Sequence, residues 1–286
     1  MKMKLKQRIA LNYYTTKFKT IALVSHRKAA EKAFELFCTP LSGKVQRKEP
    51  PLFHHAEKIS FVIDELTIRG WHWKPEKWNG KKALICHGFD SCAYKFEKYV
   101  SLLKKEGFEV FAFDAPGHGI SDGKLINAIL YSKVILKANE LFGSFHTIIG
   151  HSLGGLAATL AATKLNELKK LVLIAPATET TRAVDNFLQL IQLTDEVKNS
   201  FIELIHEKAQ MPYADISVSK NISLIAANTM WLHDTADTIC PFEDAQKVRQ
   251  LNLPSVVFYI THGLGHSKIY KENNVAKDII HFVISE

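Results

Sequence analysis

The stretch FHTIIGHSLGGLAATLAAT, residues 145–163, decides the reading of this chain. An apolar run, Phe145 to Ile149, leads straight into Gly150-His151-Ser152-Leu153-Gly154, and a small-residue segment, Gly155 to Thr163, leads out. The first has the length of a buried strand and the second the composition of a buried helix. A serine on so tight a strand-to-helix turn takes a strained backbone conformation and presents its hydroxyl. Flanking glycines remove Cβ atoms that would clash there. The start of the helix aims backbone N–H groups at negative charge developing beside the serine. The five-residue pattern is short, but its strand and helix context makes Ser152 the candidate nucleophile.

Working outward, short apolar runs alternate with helical stretches. Ala83–Cys86, Val110–Phe113, Thr147–Ile149, Leu171–Ile174, Thr229–Leu232 and Val256–Ile260 read as strands. Ala93–Lys105, Leu125–Leu141, Leu153–Leu165 and Phe242–Leu251 read as helices, and the last stretch, Ile269 to Ile284, ends in one. Such alternation predicts an α/β fold with a mainly parallel sheet covered on both faces. Before it, Ile59, Phe61, Ile63, Leu66 and Ile68 alternate with other residues, as in antiparallel strands.

The rhythm breaks between residues 177 and 224. Val184, Phe187, Leu188 and Ile191, then Val197, Phe201, Leu204 and Ile205, fall at helical spacing. They predict a small helical cap at the C-terminal ends of the strands, where open α/β sheets bind ligands. With Leu190, these side chains suit an apolar pocket or core contacts equally. Residues 1–38 also read as helical, with Ala29, Ala33, Phe34 and Phe37 on one face, Pro40 and Gly43 ending the helix and Pro50-Pro51 marking a linker. The expected organisation is a basic helical extension over 1–56, a core over 57–176 and 225–286, and a cap over 177–224.

The chain has 286 residues, 47% hydrophobic and 23% charged, which suits one sizeable domain carrying an inserted lobe. Its net charge of +8 is concentrated: residues 1–48 hold twelve Lys/Arg against two Asp/Glu. A basic segment of this kind is a solvated face or a peripheral membrane contact through residues 1–38. No nucleic-acid module signature follows it, so no nucleic-acid partner is expected. No apolar run approaches the roughly 18 residues of a membrane span, and no secretory signal is read at the start. Cys38, Cys86, Cys92 and Cys240 form no C-x-x-C pair, which suits free thiols in a reducing cytoplasm. No His, Cys, Asp or Glu set has metal-ligand spacing, so neither metal nor other cofactor is expected.

A serine hydroxyl needs a base. Of thirteen histidines, His266 lies in Gly263-Leu264-Gly265-His266, between the last strand and the final helix. His262 abuts the strand end and reads as structural. The base needs an orienting carboxylate. Asp234, Asp237, Glu243 and Asp244 all follow the strand ending at Leu232, and Asp237, in a loop closed by Pro241, is favoured over Asp234. Asp114 and His118 read as loop-shaping residues, Trp71, Trp73 and Trp78 as packing or edge residues.

Five segments resemble the motifs of the α/β-hydrolase superfamily. Gly150 to Gly155 looks like its nucleophile elbow, and His87-Gly88-Phe89-Asp90 like its oxyanion turn. Phe113 to Ser121 looks like its D-x-x-G-x-G-x-S loop, His233 to Pro241 like its acid loop, and Gly265-His266 like its terminal histidine loop. The order and number of these segments are more specific than any one of them. The resemblance covers about residues 57–286. It implies an α/β-hydrolase fold with a mainly parallel eight-stranded sheet, helices on both faces and a helical cap. It also implies a Ser-His-Asp triad of Ser152, His266 and Asp237, with the backbone N–H groups of Phe89 and Leu153 as oxyanion hole. The implied activity is that of a serine esterase acting on a small, apolar ester. Thioester, amide or carbon–carbon bond hydrolysis, or a non-catalytic ligand-binding protein on the same fold, are the alternatives. Asp234 stands where the superfamily often has Gly, and Cys240 where it usually has Val.

Overall fold

Eight strands form one sheet in the computed structural model, which describes residues 5–40, 44 and 48–285. They are β1 (Glu57–Ile63), β2 (Leu66–Trp73), β3 (Lys82–Cys86), β4 (Glu109–Phe113), β5 (Thr147–His151), β6 (Lys170–Ile174), β7 (Asn228–Asp234) and β8 (Val256–Thr261). The order is β1-β2-β4-β3-β5-β6-β7-β8. β2 runs antiparallel to β1 and β4, and every other pair is parallel. β1 and β2 are joined through Asp64 and Glu65, both at positive φ, as a tight hairpin turn between right-twisted strands requires. β5 and β6 are buried at every residue, because a central parallel strand is covered on both faces. This is the mainly parallel sheet with flanking helices that the alternation predicts, with the eight strands that the resemblance implies.

Capping sets several boundaries that periodicity alone does not. The helix expected from Leu125 begins at Ala128, because the Asn127 side chain accepts the Leu130 N–H at 2.8 Å and fixes the first turn there. The final stretch ends in a helix as expected: Ile269–Lys271 is a 3₁₀ turn, and the helix Asn273–Ile284 starts after Glu272, whose carboxylate accepts the Asn273 N–H. Gly43, read as a helix end, and residues 1–4 of the basic start lie outside the described residues.

The chain divides into two compact units. The larger, Pro40–Thr178 with Ser217–Glu286, contains the whole sheet. In it Phe53, from the short helix Pro51–His54, sits edge-on to Trp71, Trp73 and Tyr94, and the Trp73 indole donates to the Leu52 carbonyl at 3.0 Å. Trp71 and Trp73 are fully buried there, whereas Trp78 is exposed.

The smaller unit joins the residues up to Thr39 with Glu179–Ile216. Its α-helices among the described residues are Leu5–Ala22, His26–Cys38, Thr180–Ile191 and Asp195–Ala209. Phe34 and Phe37 of the second helix meet Phe187 and Phe201 of the third and fourth, with ring centroids 5.1 to 6.1 Å apart. The Arg27 guanidinium grips Glu207 through both carboxylate oxygens. The apolar faces of the inserted helices therefore pack against the N-terminal ones, and Leu190 alone of their large apolar positions is widely exposed. Phe201→Ala is expected to lower the unfolding free energy by about 3–5 kcal/mol. Arg27→Ala, which breaks an exposed pair, is expected to cost far less. Urea denaturation of both variants measures the contrast.

Candidate active site

Ser152 stands between β5 and the helix Leu153–Ala162 with φ 54° and ψ −121°, a conformation that side-chain-bearing residues rarely adopt. Its neighbours hold it there. The Ser152 N–H donates to Ile174 O at 3.1 Å, and the Ser152 carbonyl accepts from Gly155, Leu156 and Ala177. The helix comes so close to β3 that a Cβ on Gly154 would fall onto the carbonyl oxygens of Cys86 and His87. The turn carrying Phe89 also comes close. A Cβ on Gly88 would stand 2.9 Å from Ser152 Cβ and 2.9 Å from His151 Nδ1.

That turn is braced by two neutral imidazoles. His87 Nε2 accepts the Ala115 N–H at 3.0 Å, so its proton is on Nδ1 and donates to Gly88 O at 2.8 Å. His118 Nε2 accepts the Asp90 N–H at 3.2 Å, so its Nδ1–H donates to Pro116 O. Burial holds both rings below the ordinary histidine range, His87 well below it. Asp114 accepts the N–H groups of Ala93 and Ile120 at 2.8 and 3.0 Å, while burial raises its carboxyl above the usual value. Asp114 and His118 thus shape loops, as read.

After β7, the two rival carboxylates have separate partners. Asp237 Oδ2 lies 2.8 Å from His266 Nδ1, and its Oδ1 accepts the N–H groups of Ile239 and Cys240, each at 2.9 Å. Burial would raise the Asp237 carboxyl, but His266 and these N–H groups together bring it below the usual range. Asp234 makes no such contact with an imidazole. Its Oδ1 accepts the Ala236 N–H, and its Oδ2 accepts the Thr261 hydroxyl at 2.7 Å and the Leu264 N–H at 3.0 Å. Asp244 pairs with Lys247, Glu243 lies in the first turn of the helix Phe242–Arg249, and His262 bonds the Thr235 hydroxyl.

Two further histidines complete the surroundings. His151 is buried, and burial, with His266 adding to it, brings its pKa to about 3. Its neutral ring meets the His266 carbonyl through Nε2 at 3.1 Å, so the residue before the serine holds the backbone of the His266 loop. His233 accepts the Trp231 indole N–H on Nδ1 at 3.1 Å and donates from Nε2 to Cys240 O at 2.8 Å, fixing the loop that carries Asp237. Burial raises the Cys240 thiol to about 12, keeping it protonated. Sequence reading assigned no task to His151 or His233. The His151 bond spans 115 positions and leaves no local signal. For His233 the signal is its place two residues after Trp231, on the same face of a strand. The structure thus brings His266, Asp237 and the Ser152 elbow into one neighbourhood, with the Gly88–Phe89 turn against it.

Comparison with known proteins gives concordant likenesses. The chain matches the profile of the Hydrolase_4 family, described as serine aminopeptidase, S33, over residues 80–218. A Mycoplasma pneumoniae protein classed by name as an esterase/lipase is 24% identical over 225 residues, 65% of this chain and 82% of its own length. An sn-1-specific diacylglycerol lipase of Danio rerio is 30% identical over 168 residues, 57% of this chain, which spans half the length of that relative. Among solved structures, an esterase of Pyrococcus furiosus superposes with a TM-score of 0.64 at 20% identity, over 84% of this chain and 96% of that one.

The Asp234 contacts generate a pH prediction. Burial opposes ionisation, but the Thr261 hydroxyl and the loop N–H groups outweigh it and bring the carboxyl from 3.8 to about 2. A group depressed on folding stabilises fully above its unfolded pKa and loses that contribution as pH falls through the folded value. Wild-type unfolding free energy is therefore expected to lose about 2 kcal/mol through Asp234 between about pH 4 and pH 2. Asp234→Asn should be less stable at pH 7 and flatter over that interval. Urea denaturation across a pH series measures both.

Proposed function

We propose that the chain is a member of the α/β-hydrolase superfamily that hydrolyses carboxylic esters through Ser152, His266 and Asp237. The observation that carries this reading is the 2.8 Å contact between His266 Nδ1 and Asp237 Oδ2, on loops tied to the Ser152 elbow through His151. An imidazole with its Nδ1–H held by a buried carboxylate turns Nε2 into the basic nitrogen.

The reaction is a two-step acyl transfer. Ser152 Oγ attacks the ester carbonyl carbon as His266 Nε2 accepts the hydroxyl proton. The N–H groups of Leu153 and Phe89 take up the oxyanion, each worth on the order of 3 kcal/mol in the transition state. The ester C–O bond then breaks, and His266 returns the proton to the departing alcohol. Water, deprotonated by His266, attacks the acyl-enzyme and releases the acid with Ser152 restored. Asp237 remains ionised throughout and stabilises the imidazolium. The esterase and lipase names of the relatives support a small, apolar ester as substrate.

The aminopeptidase description of the matching family favours amide hydrolysis as a second reading on the same groups, with an amine as leaving group. p-Nitrophenyl esters of graded chain length, run beside an aminoacyl p-nitroanilide, separate the two. Turnover of esters alone supports the first reading.

Ser152→Ala is expected to retain less than about 0.1% of the turnover with an unchanged far-UV spectrum, and to lose labelling by a fluorophosphonate. One percent or more of the wild-type rate in that variant overturns the assignment. Asp237→Asn should cost about 10³–10⁴-fold in kcat, and Asp234→Asn much less. His151→Phe should lower kcat about 10- to 100-fold at a nearly constant KM, because it loosens the backbone of His266.

A further inference from the structure

The helix Leu5–Ala22 contains Lys6, Arg8, Lys17 and Lys19 and no Asp or Glu. Its companions in the smaller unit differ. His26–Cys38 carries Glu31 and Glu35, and residues 179–216 hold seven acidic residues against three Lys/Arg. The pairs Arg27–Glu31, Arg27–Glu207, Lys32–Glu35 and Lys198–Asp195 all lie among those companions. The cationic surplus of the unit therefore belongs to its first helix.

That helix also exposes apolar surface. Ile9 and Tyr13, one turn apart, are 61% and 60% exposed, and exposed Lys17 follows one turn later. The helix then ends in a tight turn, with Val24 and Ser25 N–H groups both donating to Ile21 O at 3.0 Å. At this turn Leu23 is 87% and Val24 84% exposed, more than any other large apolar side chain among the described residues. Lys19 and Lys17 lie about 6 and 9 Å from Leu23 along the helix axis. They are therefore within about one Debye length of the apolar tip.

We propose that this turn docks the protein on an anionic bilayer surface. Leu23 and Val24 enter the boundary between headgroups and acyl chains, and Lys17 and Lys19 meet the lipid phosphates. Each branched apolar side chain buried this way strengthens partition on the order of tenfold. Each cation held near an anionic leaflet adds about fivefold. Attachment is peripheral: among the described residues, no helix is long and apolar enough to cross a membrane. A second copy is a poorer occupant, because pairing two such turns would bring acid-free cationic helices together. A nucleic acid would meet the lysines but leave the apolar tip without a partner. This docking does not depend on the hydrolase reading.

The test is co-sedimentation of the full chain with vesicles of phosphatidylcholine alone, or with about 30% phosphatidylglycerol, at low and high salt. Binding at least tenfold tighter to the anionic vesicles, and weakened by salt, is expected. Leu23→Glu with Val24→Glu, and separately Lys17→Gln with Lys19→Gln, should each reduce it at least tenfold. The unfolding midpoint should hold, because all four side chains are exposed. Absence of sedimentation, equal binding to neutral and anionic vesicles, or variants that bind like the wild type overturns the proposal. A dimer that the Leu23→Glu, Val24→Glu variant dissociates, with no vesicle binding, overturns it in favour of a second copy.

Discussion

The close approach of the helix Leu153–Ala162 to β3 is the constraint on which the site depends. With no Cβ at Gly154, the helix start settles against the carbonyls of Cys86 and His87. The chain can then leave β5 and enter the helix within a single residue, and that residue is Ser152 at φ 54°. Such backbone strain costs about 1–3 kcal/mol and persists only where the surroundings over-determine it. Here one N–H and one carbonyl of Ser152 make four backbone hydrogen bonds, to β6, to the segment after it and to the helix itself. The strained residue is thus tied to three pieces of chain, and its hydroxyl is fixed at the positive end of a helix.

The imidazoles around the serine divide their work by their hydrogen-bond partners. Burial keeps His87, His118, His151 and His233 below the ordinary range, and in each ring the bonding partners leave a neutral scaffold. His87 and His118 brace the turn at Gly88–Phe89, His151 braces the backbone of His266, and His233 braces the loop of Asp237. His266 differs from all four in that its Nδ1 faces a carboxylate at hydrogen-bond distance. Fixed loops on three sides of the serine suit a chemistry that depends on donors already in place before charge develops.

What was legible in the sequence was local. The strand run into Ser152, the small residues after it and the alternation around them each show within a dozen residues, because they follow from periodicity and turn chemistry. The start of the helix at Ala128 was less legible, since Leu125 and Ile126 continue the apolar pattern while Asn127 caps against it. Beyond the grouping that the resemblance implies, partnerships at long range were not legible. Nothing in Phe34 and Phe37 names Phe187 and Phe201, some 150 positions on, as their neighbours. Likewise Asp234 and Asp237 are the same residue type three positions apart. Only the identity of the donors that reach each one distinguishes them.

That distinction explains how two carboxylates coexist in one short loop. Neither leans on a Lys or Arg among the contacts described. Asp234 is held ionised by the Thr261 hydroxyl at the end of β8, the Leu264 N–H in the loop before His266 and the Ala236 N–H of its own turn. Asp237 is held ionised by N–H groups of its own turn and by His266 itself. Because the donors are separate, the two charges do not compete for one proton, as paired carboxylates sharing a site must. Asp234 fixes where the His266 loop runs, and Asp237 fixes how the His266 ring turns. A Gly at position 234 would leave the second task intact and remove the first. The second carboxylate is therefore best understood as an anchor for the His266 loop, and it leaves the contact with the His266 ring to Asp237.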